Sequence, residues 1–125
     1  MHAVRSNVHH SHPEKTIDGR LSTYWTGHGD GVWLKYDLGQ TRTVGFVKIA
    51  FLKGDERRYR FDIQVSRDAR TWSTVRTAVQ SSGTTREEEV YDFPDVAARY
   101  VRYVGHGSTA GRTNSVTEVS LMVRR

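Results

Sequence analysis

The chain contains no cysteine. That excludes a disulfide framework, thiolate catalysis and cysteine-ligated zinc. It leaves the compartment open, because a well-packed secreted domain can manage without disulfides. No apolar run approaches the length of a membrane span. The opening segment, Met1-His2-Ala3-Val4-Arg5-Ser6, has no apolar core of a signal peptide. The expectation is therefore either a cytosolic protein or a module cut from a longer secreted chain. Apolar stripes at helical spacing are missing too. So are the catalytic signatures: no Gly-x-Ser-x-Gly, no phosphate-cradling loop, no His-Glu-x-x-His. Nothing forms a recognisable set of nucleophile, base and orienter. A glycosidase built on paired carboxylates escapes that filter, because such a pair is set by space rather than by spacing.

What is present suits one β domain. The 125 residues fit a single unit with a real core. Hydrophobic content is 36%, but 3 Trp, 6 Tyr and 4 Phe supply large buried area per residue. The net charge of +5 favours anionic partners: acidic polysaccharide, nucleic acid or anionic lipid. The plainer reading of that charge is solubility.

Period-two alternation dominates. Val32-Trp33-Leu34-Lys35-Tyr36-Asp37-Leu38 puts Val32, Leu34, Tyr36 and Leu38 on one face. Tyr59-Arg60-Phe61-Asp62-Ile63-Gln64-Val65-Ser66 alternates more cleanly still. Residues 43–52 form a β-branched and aromatic run, buried in part on both faces. Shorter strands are expected at 72–75, 89–93, 99–104 and 116–123, with loops at 27–31, 39–40, 54–55, 81–83 and 105–114. About seven or eight such strands read as an all-β antiparallel sandwich. One domain spanning 1–125 is expected, with residues 1–8 frayed. Glu87-Glu88-Glu89 reads as a solvated strand entry.

The segment Thr16-Ile17-Asp18-Gly19-Arg20-Leu21-Ser22-Thr23-Tyr24-Trp25 is the most informative. Asp-Gly marks a tight turn. A turn that gathers a carboxylate, carbonyls and hydroxyls can wrap a hard cation such as calcium. The competing reading is that Asp18 only caps its turn. Three nearby histidines, His9, His10 and His12, could meet a transition metal, but extended backbone would spread them to opposite faces, and they read as incidental.

Ser11-His12-Pro13, Thr16-Ile17-Asp18-Gly19 and Ser22-Thr23-Tyr24-Trp25 resemble the opening of discoidin-like domains. These are also called coagulation factor V/VIII C-type domains and include carbohydrate-binding module family 32. The similarity continues through Trp33-Leu34-Lys35-Tyr36-Asp37-Leu38-Gly39, then Phe61-Asp62-Ile63-Gln64-Val65-Ser66-Arg67-Asp68 with Trp72. It closes with Ala98-Arg99-Tyr100-Val101-Arg102 and Thr117-Glu118-Val119. Any one piece is weak; the ordered set covers nearly the whole chain. The resemblance implies a β-sandwich jelly roll and a non-catalytic binding role. Arg20 departs from the small or acidic residue usual after Asp-Gly.

The resemblance also implies sites. A structural Ca2+ would take carboxylates from Asp18 and Glu118, carbonyls from Lys15, Arg20 and Thr117, and the hydroxyl or carbonyl of Thr23. Sugars would bind on loops at one end of the sandwich, carrying Trp25, His28, Asp30, Lys53, Asp55, Arg58, Arg60, His106, Arg112 and Asn114. Trp25 has a competing place in the core at the foot of its loop. Trp33 and Trp72 read as packing residues, and Arg102 as support below the loops. The arginine-rich 53–60 segment favours a uronate polymer such as alginate over neutral galactosides, because a guanidinium fork matches a carboxylate. The alternative there is a solvated turn with weak ion pairs.

The expected role is a monomeric carbohydrate-binding module that tethers a secreted polysaccharide lyase or glycoside hydrolase to its polymer. The alternative is an adhesion module for anionic lipid, nucleic acid or protein. Membrane insertion is disfavoured, because the 53–58 and 105–114 loops lack large apolar spikes apart from the chain's charged stems. Nucleic acid is disfavoured by the absence of a basic stripe interleaved with aromatics.

Overall fold

A computed structural model describes residues 3–124. The chain forms an antiparallel β-sandwich jelly roll of seven strands: β1 (Ala3–Ser6), β2 (Trp25–His28), β3 (Val32–Phe51), β4 (Tyr59–Ser66), β5 (Ser73–Gln80), β6 (Glu89–Ser108) and β7 (Thr113–Arg124). A 3₁₀ turn occupies Pro13–Ile17. The strand order is β2-β7-β3-β6-β4-β5, with β1 also paired to β3.

Two strands of 20 residues each make the two layers. The first half of β3 pairs with β1 and with the second half of β6, from Trp33↔Val104 to Asp37↔Tyr100. Its second half pairs with the first half of β6 and with β7, as in Ile49↔Glu89 and Ile49↔Val119. Register shifts between Asp37 and Arg42 and between Val44 and Phe46 let the strand bend from one layer to the other. This corrects the expectation of separate strands at 32–38 and 43–52, and at 89–93 and 99–104. The Gly39-Gln40 turn chemistry bends a continuous ladder there instead of ending it.

The alternation places the core as read. Leu34, Tyr36 and Leu38, with Phe61, Ile63, Val65, Val101 and Tyr103, are buried against Val47, Ile49, Phe51, Tyr91 and Val119. Aromatic contacts join the layers: Phe51 stacks on Tyr59 at 4.6 Å, and Phe61 meets Tyr91 edge-on at 5.0 Å. Such pairs add about 1 kcal/mol each beyond their buried area.

Three further expectations change. Residues 3–6 are not frayed but form β1, while residues 1 and 2 lie outside the described residues. Residues 25–28, read as loop, pair with β7 from Trp25↔Val116 to His28↔Thr113. The strand expected at 72–75 starts at Ser73 and runs on to Gln80. Its polar, bulged sequence hides the period of two.

Candidate functional site

Two loop assemblies stand out, and β7 contributes to both. The first is built on the 3₁₀ turn. Thr16 is buried, and its hydroxyl bonds Pro13 O at 2.8 Å and the Tyr36 hydroxyl at 2.9 Å, fixing the turn to the sheet. The chain then reverses at Gly19, whose φ of 76° lies in the left-handed region that glycine tolerates. Asp18 Oδ1 accepts the Arg20 N–H at 3.0 Å, and Asp18 Oδ2 accepts the Thr23 hydroxyl. The Thr23 oxygen also lies 3.5 Å from the carbonyls of both Lys15 and Arg20. From β7, Glu118 Oε1 reaches over to accept the Gly19 N–H at 3.2 Å.

Five of the residues expected at the cation site are thus drawn together: Lys15, Asp18, Arg20, Thr23 and Glu118. They converge as oxygens. The hydrogen bond from Thr23 holds Asp18 below the usual carboxylate range. Burial pushes Glu118 up to about 7; the Gly19 N–H opposes this, and the charges of Asp18 and Glu88 add to it. Thr117 sits beside Glu118, buried, with its own hydroxyl unpartnered among the described residues.

The second assembly lies where β2, β4 and β6 meet the hairpin leading into β7. Its foundation is Asn114, which is fully buried. Its amide donates to the carbonyls of Gly27, Gly29 and Arg112 at 3.1, 3.0 and 3.3 Å, and its Oδ1 accepts the Gly107 N–H at 2.8 Å. A Cβ on Gly105 would sit 2.4 Å from that oxygen, so the close approach requires glycine. The sequence reading placed Asn114 among the ligand residues; its burial and these bonds put it beneath the loops instead. Its hydrogen-bonding capacity is committed to loop backbone. Trp25 is corrected likewise: it is 1% exposed and packs under the loop beside Gly27 and Val8, with no face for a sugar.

Above this foundation the polar side chains gather. His28 Nδ1 lies 3.1 Å from the Thr113 hydroxyl, and the Gly29 N–H donates to Arg112 O at 2.8 Å. Arg112 brings its guanidinium beside Gly29. His106 is flanked on both ring nitrogens, Nδ1 by the Asp30 carboxylate and Nε2 by Asp62 Oδ2 at 3.1 Å. Burial alone would lower the imidazole pKa; the two carboxylates outweigh it and raise it. The ring, placed between the two carboxylates, ties the 28–31 loop to β4. Arg58 is fixed through its backbone, which exchanges bonds with Thr109 at 3.1 and 3.0 Å. Its stem lies over Gly83, and its guanidinium has no hydrogen bond or ion pair among the described residues.

The 53–57 loop is less available than the sequence suggested. Lys53 is exposed, at a φ of 52°. Asp55 is drawn away by Arg86, 2.8 Å from its carboxylate, and the same guanidinium holds Glu56 at 3.1 Å. Asp55 therefore neutralises a neighbouring loop. Arg60 lies outside the loop cluster, pointing from β4 into a cleft of about 550 Å³ on the outer sheet face. Arg102 supports that face from below: it stacks over Trp72 at 3.9 Å and donates to Gln64 Oε1 at 2.9 and 2.6 Å. His9 and His10 are exposed, while His12 rests 3.1 Å from Glu14.

Sequence reasoning missed Asp62, Thr109 and Arg86. Asp62 had a signal, since it lies on the polar face of a clean alternation two residues from Arg60. Thr109 and Arg86 had none, because both act across loops distant in sequence.

No curated protein matches the chain in sequence. Among solved structures, it is similar to one described as the CBM32 of AlyQ in complex with 4,5-unsaturated mannuronic acid. The two share 40% identity over 96% of this chain and 93% of that one, with a TM-score of 0.92. A truncated AlyQ with CBM32 and alginate lyase domains is 38% identical over 98% of this chain but 32% of that longer one, with a TM-score of 0.93. A pectin-binding carbohydrate-binding module shares the fold at 22% identity, covering 95% and 88% of the two chains, with a TM-score of 0.89. Residues 2–119 match the F5/8 type C domain, and with two-layer sandwich, Asp-Gly loop and ligand-end hairpin all in that order, the chain belongs to that family.

Proposed function

We propose that the chain is a non-catalytic carbohydrate-binding module whose loop end takes an acidic sugar of the uronate class. The observation that carries this is the chemistry of the loop end. Arg58 offers an uncommitted guanidinium, Arg112 and Lys53 add exposed cations, and the carboxylates beside His106 favour its charged form. With Trp25 buried, no tryptophan is available at this end to stack on a neutral ring. Recognition then falls to charge-assisted hydrogen bonds, which suit a carboxylate. The 40% identical relative described with an unsaturated mannuronic acid supports the same class.

The oxygen cluster of Lys15, Asp18, Arg20, Thr23 and Glu118 fits a calcium ion in donor type: two carboxylates, two carbonyls and a hydroxyl. The ion would supply structure, closing an early loop onto the last strand. The relative that joins such a module to an alginate lyase supports a tethered role, as part of a secreted polymer-degrading enzyme. Tethering raises the local concentration of substrate even when the module binds weakly.

The test is electrophoresis through gels containing alginate, pectin or a neutral galactan. The parent should be retarded by the acidic polymers. Arg58→Ala should lose about tenfold in affinity, the value of a charge-assisted hydrogen bond, with its melting temperature unchanged. Equal retardation of mutant and parent would count against the site. Release of unsaturated sugars or new reducing ends by the isolated domain would count against a non-catalytic role.

A further inference from the structure

We infer a second sugar subsite on the outer face of β4, β5 and β6, beside the loop cluster, that takes a neighbouring acidic ring of the same chain. The inference rests on the uronate reading above. Its basis is the cleft of about 550 Å³ lined by Arg60, Asp62, Thr77, Ala78, Gln80 and His106.

A backbone irregularity shapes this cleft. Between Phe61↔Val79 and Ile63↔Arg76, β5 advances three residues while β4 advances two. The extra residue is a bulge, and Ala78 within it has a φ of 52°, a left-handed backbone disfavoured for a residue with a Cβ. Asp62 Oδ1 holds the bulge by accepting the Ala78 N–H at 2.7 Å. As a result Thr77 and Ala78 are both exposed in succession, and Val79 returns to the core. The small Ala78 side chain leaves the floor of the cleft open.

The groups around that floor are matched to a uronate. The Arg60 guanidinium, the Gln80 amide and the Thr77 hydroxyl have no hydrogen bond or ion pair among the described residues. The carboxylates are committed: Asp62 to Ala78 and His106, Asp30 to the other nitrogen of His106. Arg76, also on β5, donates instead to Asp92 O at 2.8 Å. Asp30 and Asp62 share the single His106 ring, and the cation lining the cleft that has no carboxylate partner among the described residues is Arg60. A guanidinium for a carboxylate, with an amide and a hydroxyl for ring hydroxyls, is a uronate-binding set. His106 is the common wall: one nitrogen faces the loop cluster through Asp30, the other the cleft through Asp62. Two sites sharing a wall suit consecutive rings of one polymer.

The test is calorimetric titration of the whole chain with mannuronate oligomers of one to four rings, in parent, Arg60→Ala and Gln80→Ala proteins. The parent and both variants should fold alike, since Arg60 and Gln80 are exposed. The parent should bind two rings about tenfold more tightly than one, the gain expected of an added charge-assisted contact. Arg60→Ala should flatten that gain, and Gln80→Ala should reduce it. The Gln80 side-chain amide should shift in NMR spectra only with oligomers of two rings or more. A parent that binds one ring but gains nothing from the second overturns the subsite alone. A gain that survives in the Arg60→Ala, Gln80→Ala double variant also overturns it. Failure to bind any oligomer overturns both the subsite and the uronate reading.

Discussion

The cation loop and the ligand end are built from opposite materials. Around Asp18 the groups drawn together are mainly acceptors: two carboxylates, two carbonyls and a hydroxyl, opposed by backbone N–H groups, the Thr23 proton and the charge of Arg20. At the other end the carboxylates of Asp30 and Asp62 flank His106, and the exposed side chains of Lys53, Arg58 and Arg112 add donors around them. The first assembly is the one proposed for a cation; the second is the one proposed for an anion. On the proposed reading, the Asp-Gly motif is a matter of scaffold, and recognition belongs to the loops beside the hairpin that enters β7.

That contrast can be broken most severely at Asn114. Asn114→Ala removes the side-chain partner of the Gly27 and Gly29 carbonyls and of the Gly107 N–H, while Arg112 O keeps the Gly29 N–H, at a cost of about 4 kcal/mol. The melting temperature should fall by roughly 15 °C, and alginate binding should vanish with the loop path. A thermal scan showing no loss would refute the assigned role.

Calcium is the next largest effect. At free calcium 100-fold above its dissociation constant, binding adds about 2.7 kcal/mol. Chelation should therefore lower the melting temperature by roughly 10 °C. Asp18→Ala should remove that response, while Arg58→Ala should keep it. A chelator without effect on the parent sinks the cation assignment and leaves the ligand end untouched.

The smallest effect is the pH response of His106. Its folded pKa is raised by Asp30 and Asp62, so its contribution is fully present below the usual imidazole range. The contribution is lost as pH rises through the folded value. The side chain is 32% exposed, and solvent screening limits the effect to about 1 kcal/mol. Urea denaturation should show the advantage of the parent over His106→Gln shrinking as pH rises from the usual imidazole range upward. An advantage that grows with pH would reverse the assignment.

Local chemistry was legible in the sequence, and long-range pairing was not. The alternation of Tyr59-Arg60-Phe61-Asp62-Ile63 gave β4 and its buried face, because period two needs only neighbours. The Asp18 turn was readable for the same reason, since Asp18, Arg20 and Thr23 bond within five residues. Trp25 and Asn114 were misjudged because their burial depends on β2 joining β7 across the length of the chain. Asp55 looked available until Arg86, 31 residues on, reached it. The His106 bridge joins residues 76 apart, Asp30 and His106, and no local pattern announces it.

Asn114 bonds to backbone at every contact described, from Gly27 to Arg112. The course of the recognition loops is therefore written in one interior side chain and not in the residues that face the ligand. His28, Arg112 and Thr113 can be exchanged without redrawing that course. For a protein engineer this separates two alphabets: the interior amide is kept constant as a chassis, and the exterior positions become a library for new polysaccharide specificities.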